Sequence, residues 1–183
     1  VAGELFELMN HIPPQALVLV AGLGNRSITP DAIGPKVHEY TLVTRHLVQR
    51  LPEQFGALRP VASLSAEVLG STGVESGEVV RAVCEKIRPA CVIAVDALAS
   101  RSVERLCRTV QLSDPVMAVG VPTVVDGATL AADLLGTEEL PDLGKGREML
   151  VTPKDIDSQV ADLAKVIGYG INLALQPGMT VEE

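Results

Sequence analysis

The chain has 183 residues, of which 47% are hydrophobic and 2% aromatic, and its formal net charge at pH 7 is -8. This length and composition predict a single domain over residues 1–183, with a core built from Val, Leu, Ile and Ala. Proteins that bind the phosphate backbone of nucleic acids need clustered Lys and Arg, whereas this chain has an excess of carboxylates, so we expect no direct nucleic-acid partner. No apolar run approaches the ~20 residues that cross a bilayer, so we expect a cytoplasmic protein without membrane contact.

The three cysteines are Cys84, Cys91 and Cys107. An odd number without C-x-x-C spacing indicates neither a zinc site nor a disulfide framework, and we interpret them as reduced packing residues. Cys91 lies inside an apolar run, which is more typical of a core residue than of a nucleophile.

Apolar periodicity and turn residues divide the chain into alternating helices and strands. In chain order they predict a helix over 4–11, a strand over 16–21, a helix over 35–50, a strand over 61–65, a helix after a capping box at 72–75, a strand over 90–95, a short helix over 100–107, strands over 109–112 and 116–121, a helix over 127–135, and a long helix from 152 onward. This alternation predicts a three-layer α/β fold, with a twisted, mostly parallel sheet and helices on both faces.

One connection is too short for a parallel sheet. Parallel strands need a crossover of a dozen or more residues, yet Ser113-Asp114 runs directly into Pro115-Val116. Either the connection is a tight antiparallel turn, or a mobile segment is absent between residues 114 and 115.

The stretch over 16–37 joins an apolar strand, a glycine turn and a carboxylate. Gly22 and Gly24 allow the backbone to turn sharply as it leaves the sheet, and Asp31 follows them. Because the stretch lacks the third glycine of a dinucleotide fingerprint, a Rossmann-type cofactor is disfavoured, and we expect no cofactor.

Two positions for Asp31 remain open. It lies in the loop just ahead of a helix that begins at Pro35, or Thr29-Pro30-Asp31 forms the capped first turn of that helix. In the second case the Gly34-Pro35 pair would distort the helix.

A second carboxylate, Asp96, follows the apolar strand over 90–95. Because the carboxyl ends of parallel strands meet at one edge of the sheet, Asp31 and Asp96 are predicted to face one crevice. When two carboxyl groups share a site, ionising both is unfavourable, so the pKa of one of them rises. At one pH the protonated group can then act as an acid while the ionised group acts as a base. We expect Asp31 to stay ionised and Asp96 to hold the proton, so that the pair activates water against a carbonyl. The competing interpretation is that each aspartate only caps a helix or a loop.

Other polar residues are weaker candidates. Asn25 could orient a carboxylate or a substrate carbonyl, and Asp126 could do the same, although Asp126 is more typical of a cap for the next helix. We interpret the three histidines, His11, His38 and His46, as surface residues. One histidine together with the two carboxylates is a possible set of metal ligands. No G-x-S-x-G elbow supports a serine hydrolase.

Several long motifs resemble one known family. They are GLGNRSITPDAIGP (22–35), LVTRHL (42–47), FGALRPVASLSAEVLGSTGVES (55–76), CVIAVDALASRSVERLCRTVQLSD (91–114), VGVPTVVDGATLAADLL (119–135) and LVTPKDID (150–157). In this order they resemble the germination protease, or spore protease, of spore-forming bacteria.

The resemblance implies an endopeptidase of the spore core that degrades small acid-soluble spore proteins during germination. It implies an atypical aspartic peptidase, made as a zymogen, assembled as a homotetramer and folded like the hydrogenase-maturation endopeptidases. The two aspartates that the family is proposed to use fall at Asp31 and Asp96. Neither is a metal ligand in that mechanism.

The chain also departs from the family. A glycine-rich segment that follows QLSD in the family is missing between Asp114 and Pro115, a propeptide region is missing ahead of Val1, and 136–148 is abbreviated. Two other functions remain open. One is a metal-dependent maturation endopeptidase of the same fold, and the other is a non-catalytic sporulation factor that binds a partner.

Overall fold

The computed structural model describes residues 1–100, 102–113, 117–126 and 150–180. The helices are α1 (Ala2–Leu8), α2 (Ile33–Tyr40), α3 (Arg45–Arg50), α4 (Pro52–Phe55), α5 (Leu69–Thr72), α6 (Ser76–Ile87) and α7 (Ile156–Leu175). The strands are β1 (Val18–Leu23), β2 (Val61–Ala66), β3 (Cys91–Ser100), β4 (Gln111–Ser113), β5 (Met117–Asp126) and β6 (Leu150–Val151). Short 3-10 turns cover Thr29–Asp31 and Val103–Arg105. The helix predicted over 127–135 lies outside the described residues.

The sheet has the order β2-β1-β3-β5-β4, and β6 pairs with the end of β5. Strands β2, β1, β3 and β5 run parallel, whereas β4 and β6 are antiparallel to β5. The connection from β1 to β2 and the connection from β2 to β3 run in opposite directions along the sheet. Because such crossovers are right-handed, α2 and α6 cover opposite faces. The predicted α/β fold with a mostly parallel sheet is confirmed.

The antiparallel alternative for the short connection agrees with the structure. Ser113 of β4 faces Ala118 of β5, and Gln111 faces Gly120. The connecting residues 114–116 lie outside the described residues. An antiparallel hairpin needs no crossover, so the shortness of this connection is compatible with the sheet.

The main core lies between the sheet and the helices α1, α2 and α7. Its fully buried members come from alternate positions of the central strands and from the inner stripes of the helices: Leu5, Val18, Val20, Ile33, Val37, Ile93, Val95, Val119, Val121, Val160, Ala164, Ile167 and Ile171. Gly168 and Gly170 allow α7 to approach its neighbours, because a Cβ on them would collide with Tyr40 and contact Val1. Among the described residues, no helix combines the length and apolarity that crossing a membrane requires.

The helix predicted over 35–50 is two helices, α2 and α3, so the prediction of one helix is wrong. The break is stabilised by Thr44, which is fully buried. Its hydroxyl donates to the carbonyl of Arg59 (2.5 Å) and accepts from the N–H of Val61 (2.9 Å). The backbone N–H of Thr44 donates to the carbonyl of Val61 (3.0 Å) in place of a helical bond, and no pattern within the segment reveals these contacts with the start of β2.

Two other helix starts are displaced from their predicted positions. The capping box of α6 is formed by Glu75 and Glu78, not by Thr72 and Glu75. The hydroxyl of Thr72 instead bonds within its own turn, to the carbonyls of Val68 and Val74. Helix α7 begins at Ile156, after the predicted Thr-Pro start at 152–153.

The strands extend beyond their apolar runs. Strand β3 was predicted to end before Asp96 but continues to Ser100, and β5 passes through Pro122 to Asp126. The two extensions pair with each other, for example Leu98 with Pro122. The short helix predicted over 100–107 is reduced to the 3-10 turn at Val103–Arg105.

Candidate active site

The first turn of α2 rests directly on the sheet. Gly22 of β1 and Gly34 of α2 meet backbone to backbone, because a Cβ on Gly22 would collide with the carbonyl of Gly34. A Cβ on Gly34 would collide with the backbone of both Leu23 and Val95. Gly22 therefore serves close packing rather than the turn to which the sequence analysis assigned it. This contact places the segment before α2 at the carboxyl end of β1 and β3.

Asp31 ends the 3-10 turn Thr29–Asp31, and α2 begins after one intervening residue. Neither predicted position is fully correct, since residues 29–31 form a turn of their own and Pro35 lies within the first turn of α2. The N–H of Asn25 donates to Oδ2 of Asp31 (2.8 Å). Gly24, with a φ of 115°, brings this N–H into place, and a Cβ there would collide with the backbone of Asp31. The loop thus holds one carboxylate oxygen of Asp31 in a fixed direction.

Asp96 lies inside β3 rather than at its end. It is partly buried, and its Oδ1 accepts a hydrogen bond from the N–H of Ala97 (2.8 Å). Burial raises the pKa of the Asp96 carboxyl, the hydrogen bond from Ala97 lowers it, and the charge of Asp31 raises it further. The net effect is a raised pKa for the Asp96 carboxyl, while the assignment of the proton to Asp96 stays a prediction.

The structure brings the two predicted aspartates to the same edge of the sheet. The 3-10 turn of Asp31 contacts both β3 and β5, and the charge of Asp31 acts on Asp96. Each carboxyl has one oxygen held by a backbone N–H, while Oδ1 of Asp31 and Oδ2 of Asp96 have no hydrogen-bond partner among the described residues. Such an arrangement fixes the two groups and leaves one oxygen of each able to bind water or a substrate carbonyl.

A cavity of about 430 Å³ opens beside Asp31. Its lining is mostly apolar: Ile28, Pro30, Asp31, Ala97, Leu98, Ala99, Thr123, Val124 and Thr152. Asp96 is not part of this lining, and the cavity meets β3 at the next residue, Ala97. A second cavity, between α2 and α7 and lined in part by Tyr40 and Tyr169, contains neither carboxylate.

The structure places the two weaker candidates, Asn25 and Asp126, in different parts of the fold. Asn25 orients Asp31 through its backbone N–H, whereas its side-chain Oδ1 accepts from the N–H of Ser27 (2.9 Å). Asp126 ends β5, where its backbone pairs with Leu150. The helix that Asp126 was expected to cap lies outside the described residues, so its role stays a prediction.

Of the histidines, His38 is partly buried. Its Nδ1 lies 2.7 Å from the hydroxyl oxygen of Ser63. Burial and the charge of Arg26 lower the pKa of His38, and the charge of Glu39 partly offsets this by raising it. The part of the chain that the structure describes contains no cluster of three His, Cys, Asp or Glu side chains arranged to hold a metal ion.

Sequence reasoning missed three contributors to the site. They are Gly34, which seats α2 on the sheet, the N–H of Ala97, and Thr123, whose hydroxyl donates to the carbonyl of Pro30 (2.6 Å). The Gly34-Pro35 pair in the sequence could have indicated the role of Gly34. No periodicity distinguishes Thr123 from the apolar residues around it.

Comparison with known proteins decides the family. A model of the germination protease family matches residues 1–114 of this chain. The chain belongs to the germination protease family. It is therefore a member of a family of peptidases.

Curated relatives named as germination proteases match most or all of the chain. That of Clostridium perfringens (strain 13) is 38% identical over 237 aligned positions, covering 100% of this chain and 73% of the relative. That of Caldanaerobacter subterraneus is 39% identical with the same coverage, and that of Bacillus licheniformis is 33% identical over 92% of this chain and 69% of its own length. The alignment with the C. perfringens protein is longer than the 183 residues of this chain. The C. perfringens protein therefore has internal segments without a counterpart in this chain.

A solved structure of a [NiFe] hydrogenase maturation protease from Thermococcus kodakarensis aligns with 90% of this chain and 98% of its own. The TM-score is 0.38 at 16% identity, which is too low to support a conclusion about this germination protease family member.

Proposed function

We propose that this protein is an aspartic-type endopeptidase in which Asp31 and Asp96 together activate water. The observation that carries the proposal is the pairing of a carboxylate held by the N–H of Asn25 with a second carboxyl whose pKa is raised by burial and by the first. A base and a neighbouring acid that differ in protonation are what general acid-base hydrolysis of an amide requires.

In the proposed mechanism, ionised Asp31 accepts a proton from a water molecule while the water oxygen attacks the carbonyl carbon of the peptide bond. Protonated Asp96 donates its proton to the carbonyl oxygen, which gives a neutral tetrahedral diol. Collapse of the diol breaks the C–N bond, and the proton held by Asp31 passes to the leaving amine. The diol hydroxyl returns its proton to Asp96, so the pair ends in its starting state.

The backbone bonds to the two carboxyls have a defined part in this scheme. Because Asn25 and Ala97 each hold one oxygen, rotation of both carboxyls is restricted. The remaining oxygens then face water and substrate without a search for the productive rotamer, which lowers the entropic part of the barrier.

The proposed substrates are small acid-soluble spore proteins, which follows from the resemblance; the name of the relatives, germination protease, supports proteolysis during germination. The mostly apolar cavity beside Asp31 supports a polypeptide substrate, since it offers space for an aliphatic side chain next to the reacting carbonyl. Synthesis as a zymogen, assembly as a homotetramer and action in the spore core are proposals of the same origin.

The test is cleavage of purified small acid-soluble proteins, with fragments identified by mass spectrometry. Wild type is expected to give discrete fragments, and Asp31→Asn and Asp96→Asn are each expected to lower the rate at least ~10²-fold while circular dichroism stays native. Asp162→Asn, on the exposed side of α7, is the matched control. Full activity in either site variant would contradict the assignment.

A chelator arm separates the competing metal-dependent mechanism. If EDTA abolishes cleavage and a transition metal restores it, the carboxylates act as metal ligands and the proposed mechanism is wrong. If substrate binds but no fragment forms, the protein is a binding factor rather than an enzyme.

A further inference from the structure

Strand β5 contains one residue more than the facing part of β3. Leu98 faces Pro122 and Ala99 faces Val124, so Thr123 has no partner across the ladder. This is a β-bulge, a feature that changes the direction of a side chain and that is frequent beside active sites. The bulge lies in the wall of the cavity that contains Asp31.

Thr123 is completely buried, and its hydroxyl donates to the carbonyl oxygen of Pro30 at 2.6 Å. Pro30 directly precedes Asp31 in the 3-10 turn. The bond therefore crosses from the sheet to the turn that carries one of the two aspartates. A buried threonine on an unbulged strand would place its hydroxyl on one regular face of the sheet instead.

Strand β5 also pairs along its length with β3, where Asp96 faces Gly120. The bulged residue thus connects the strand beside Asp96 with the turn of Asp31. Asn25 fixes the direction of the Asp31 carboxylate from within its own loop. Around the turn, Gly34 seats α2 against Val95 of β3, and the hydroxyl of Thr29 donates to Oδ1 of Asp157 in α7. The bond from Thr123 adds the tie between the turn and β5.

We propose that Thr123 is a positioning residue that fixes the turn of Asp31 against β5 and so sets the separation between the Asp31 and Asp96 carboxyl groups. This inference deepens the proposed function of the same two aspartates and rests on it for its catalytic consequence. Its geometric part stands on the bulge and on the bond to Pro30.

Thr123→Val removes the hydroxyl and keeps the shape of the side chain. Because a displacement of about 1 Å can cost ~10²-fold in rate, we expect kcat to fall by ~10- to 100-fold with little change in KM. Thr123→Ser keeps the hydroxyl and is expected to restore most of kcat. Should Thr123→Val fail to fold, Thr123→Ala removes the hydroxyl without a new methyl group and is measured in the same way.

A titration of Asp96 by carboxyl NMR separates positioning from general stability. If the turn moves away, the raising effect of the Asp31 charge weakens, and the pKa of Asp96 falls in Thr123→Val but not in Thr123→Ser. The matched control is Thr44→Val, which removes another fully buried hydroxyl, at the start of β2. It is expected to lower stability while leaving kcat and the pKa of Asp96 unchanged.

The outcomes are distinguishable from those of the proposed function. Unchanged kcat and an unchanged pKa of Asp96 in a folded Thr123→Val protein overturn the positioning role, even if Asp31→Asn is inactive. A lower pKa of Asp96 in Thr123→Val supports the role, even if Asp31→Asn retains activity and the mechanism itself fails.

Discussion

The charge of Asp31 raises the pKa of Asp96, although Asp31 belongs to a turn before α2 and Asp96 to the middle of β3. Burial is a larger cause of the rise than the charge of Asp31, and the hydrogen bond from the N–H of Ala97 lowers the pKa against both of these causes. The two aspartates are therefore electrostatically linked, and this linkage can be measured without a substrate.

Asp31→Asn is expected to lower the pKa of Asp96, because it removes one of the two causes that raise it. Burial persists in the variant, so part of the rise remains. Carboxyl-detected NMR titration of wild type and variant measures the difference. An Asp96 pKa that is the same in both proteins would show that the two groups do not share a site.

The rate of peptide cleavage is expected to fall as pH rises through the pKa of Asp96, since that group must be protonated to act as the acid. Because this pKa lies above the ordinary value of 3.8, the alkaline limb of the kcat/KM profile falls at a higher pH than it would for a free aspartate. A profile measured from pH 3.5 to 9 tests this. An alkaline limb that keeps its position in Asp31→Asn, at whatever residual activity, would assign the limb to another group.

Asp96→Asn is expected to stabilise the protein at neutral pH. A carboxyl whose folded pKa exceeds its unfolded pKa contributes full stability below the unfolded value and loses it as pH rises through the folded value. The amide cannot ionise and avoids this loss, while its oxygen can still accept from Ala97. Thermal midpoints from pH 8 to pH 4 should show an advantage for the variant that narrows toward acid, with Asp162→Asn as the control for a lost charge.

Gly24→Ala is expected to lose activity by ~10²-fold or more, because the new Cβ collides with the backbone of Asp31 and displaces its carboxylate. Gly178→Ala is the matched control: its φ is 105° against 115° for Gly24, and a Cβ there meets nothing within 4 Å. Both variants carry the ~1–2 kcal/mol cost of a side chain at positive φ. Urea unfolding and kcat together separate that shared cost from the specific collision.

Thr44→Val is expected to lower the free energy of unfolding by ~1–3 kcal/mol, since it leaves the buried N–H of Val61 without an acceptor. Thr109→Val, which removes a solvent-exposed bond to the carbonyl of Arg105, should change stability far less. Equilibrium urea denaturation measures both. Equal losses in the two variants would mean that the Thr44 bonds do not stabilise the break between α2 and α3.

Much of the fold could be predicted from local patterns. The strands over 16–21, 61–65 and 90–95 correspond to β1, β2 and β3. For the first and the third, a continuous apolar run is a property of the segment itself. Asp31 and Asp96 were selected as a pair because parallel strands end at a common edge. The structure places them close enough for the charge of Asp31 to act on Asp96, although Asp96 lies inside β3 rather than at its end.

Other features depend on partners that are distant in the chain. The sequence over 35–50 has a continuous helical stripe, yet Thr44 forms bonds to Arg59 and Val61 that end one helix and begin another. Strand β3 continues past Asp96 because β5 offers backbone partners there, from Val121 opposite Ala97 to Val125 opposite Ser100.

The sequence by itself therefore determined the α/β class and selected the two aspartates as a prediction, since composition, periodicity and glycine positions are carried by neighbouring residues. Only the tertiary structure decided how the aspartates are held: the N–H groups of Asn25 and Ala97, the contact of Gly34 with the sheet, and the bulge at Thr123. The physical reason is that a hydrogen bond or a close backbone contact is specified by distance in space, and the chain order does not encode which distant groups become neighbours.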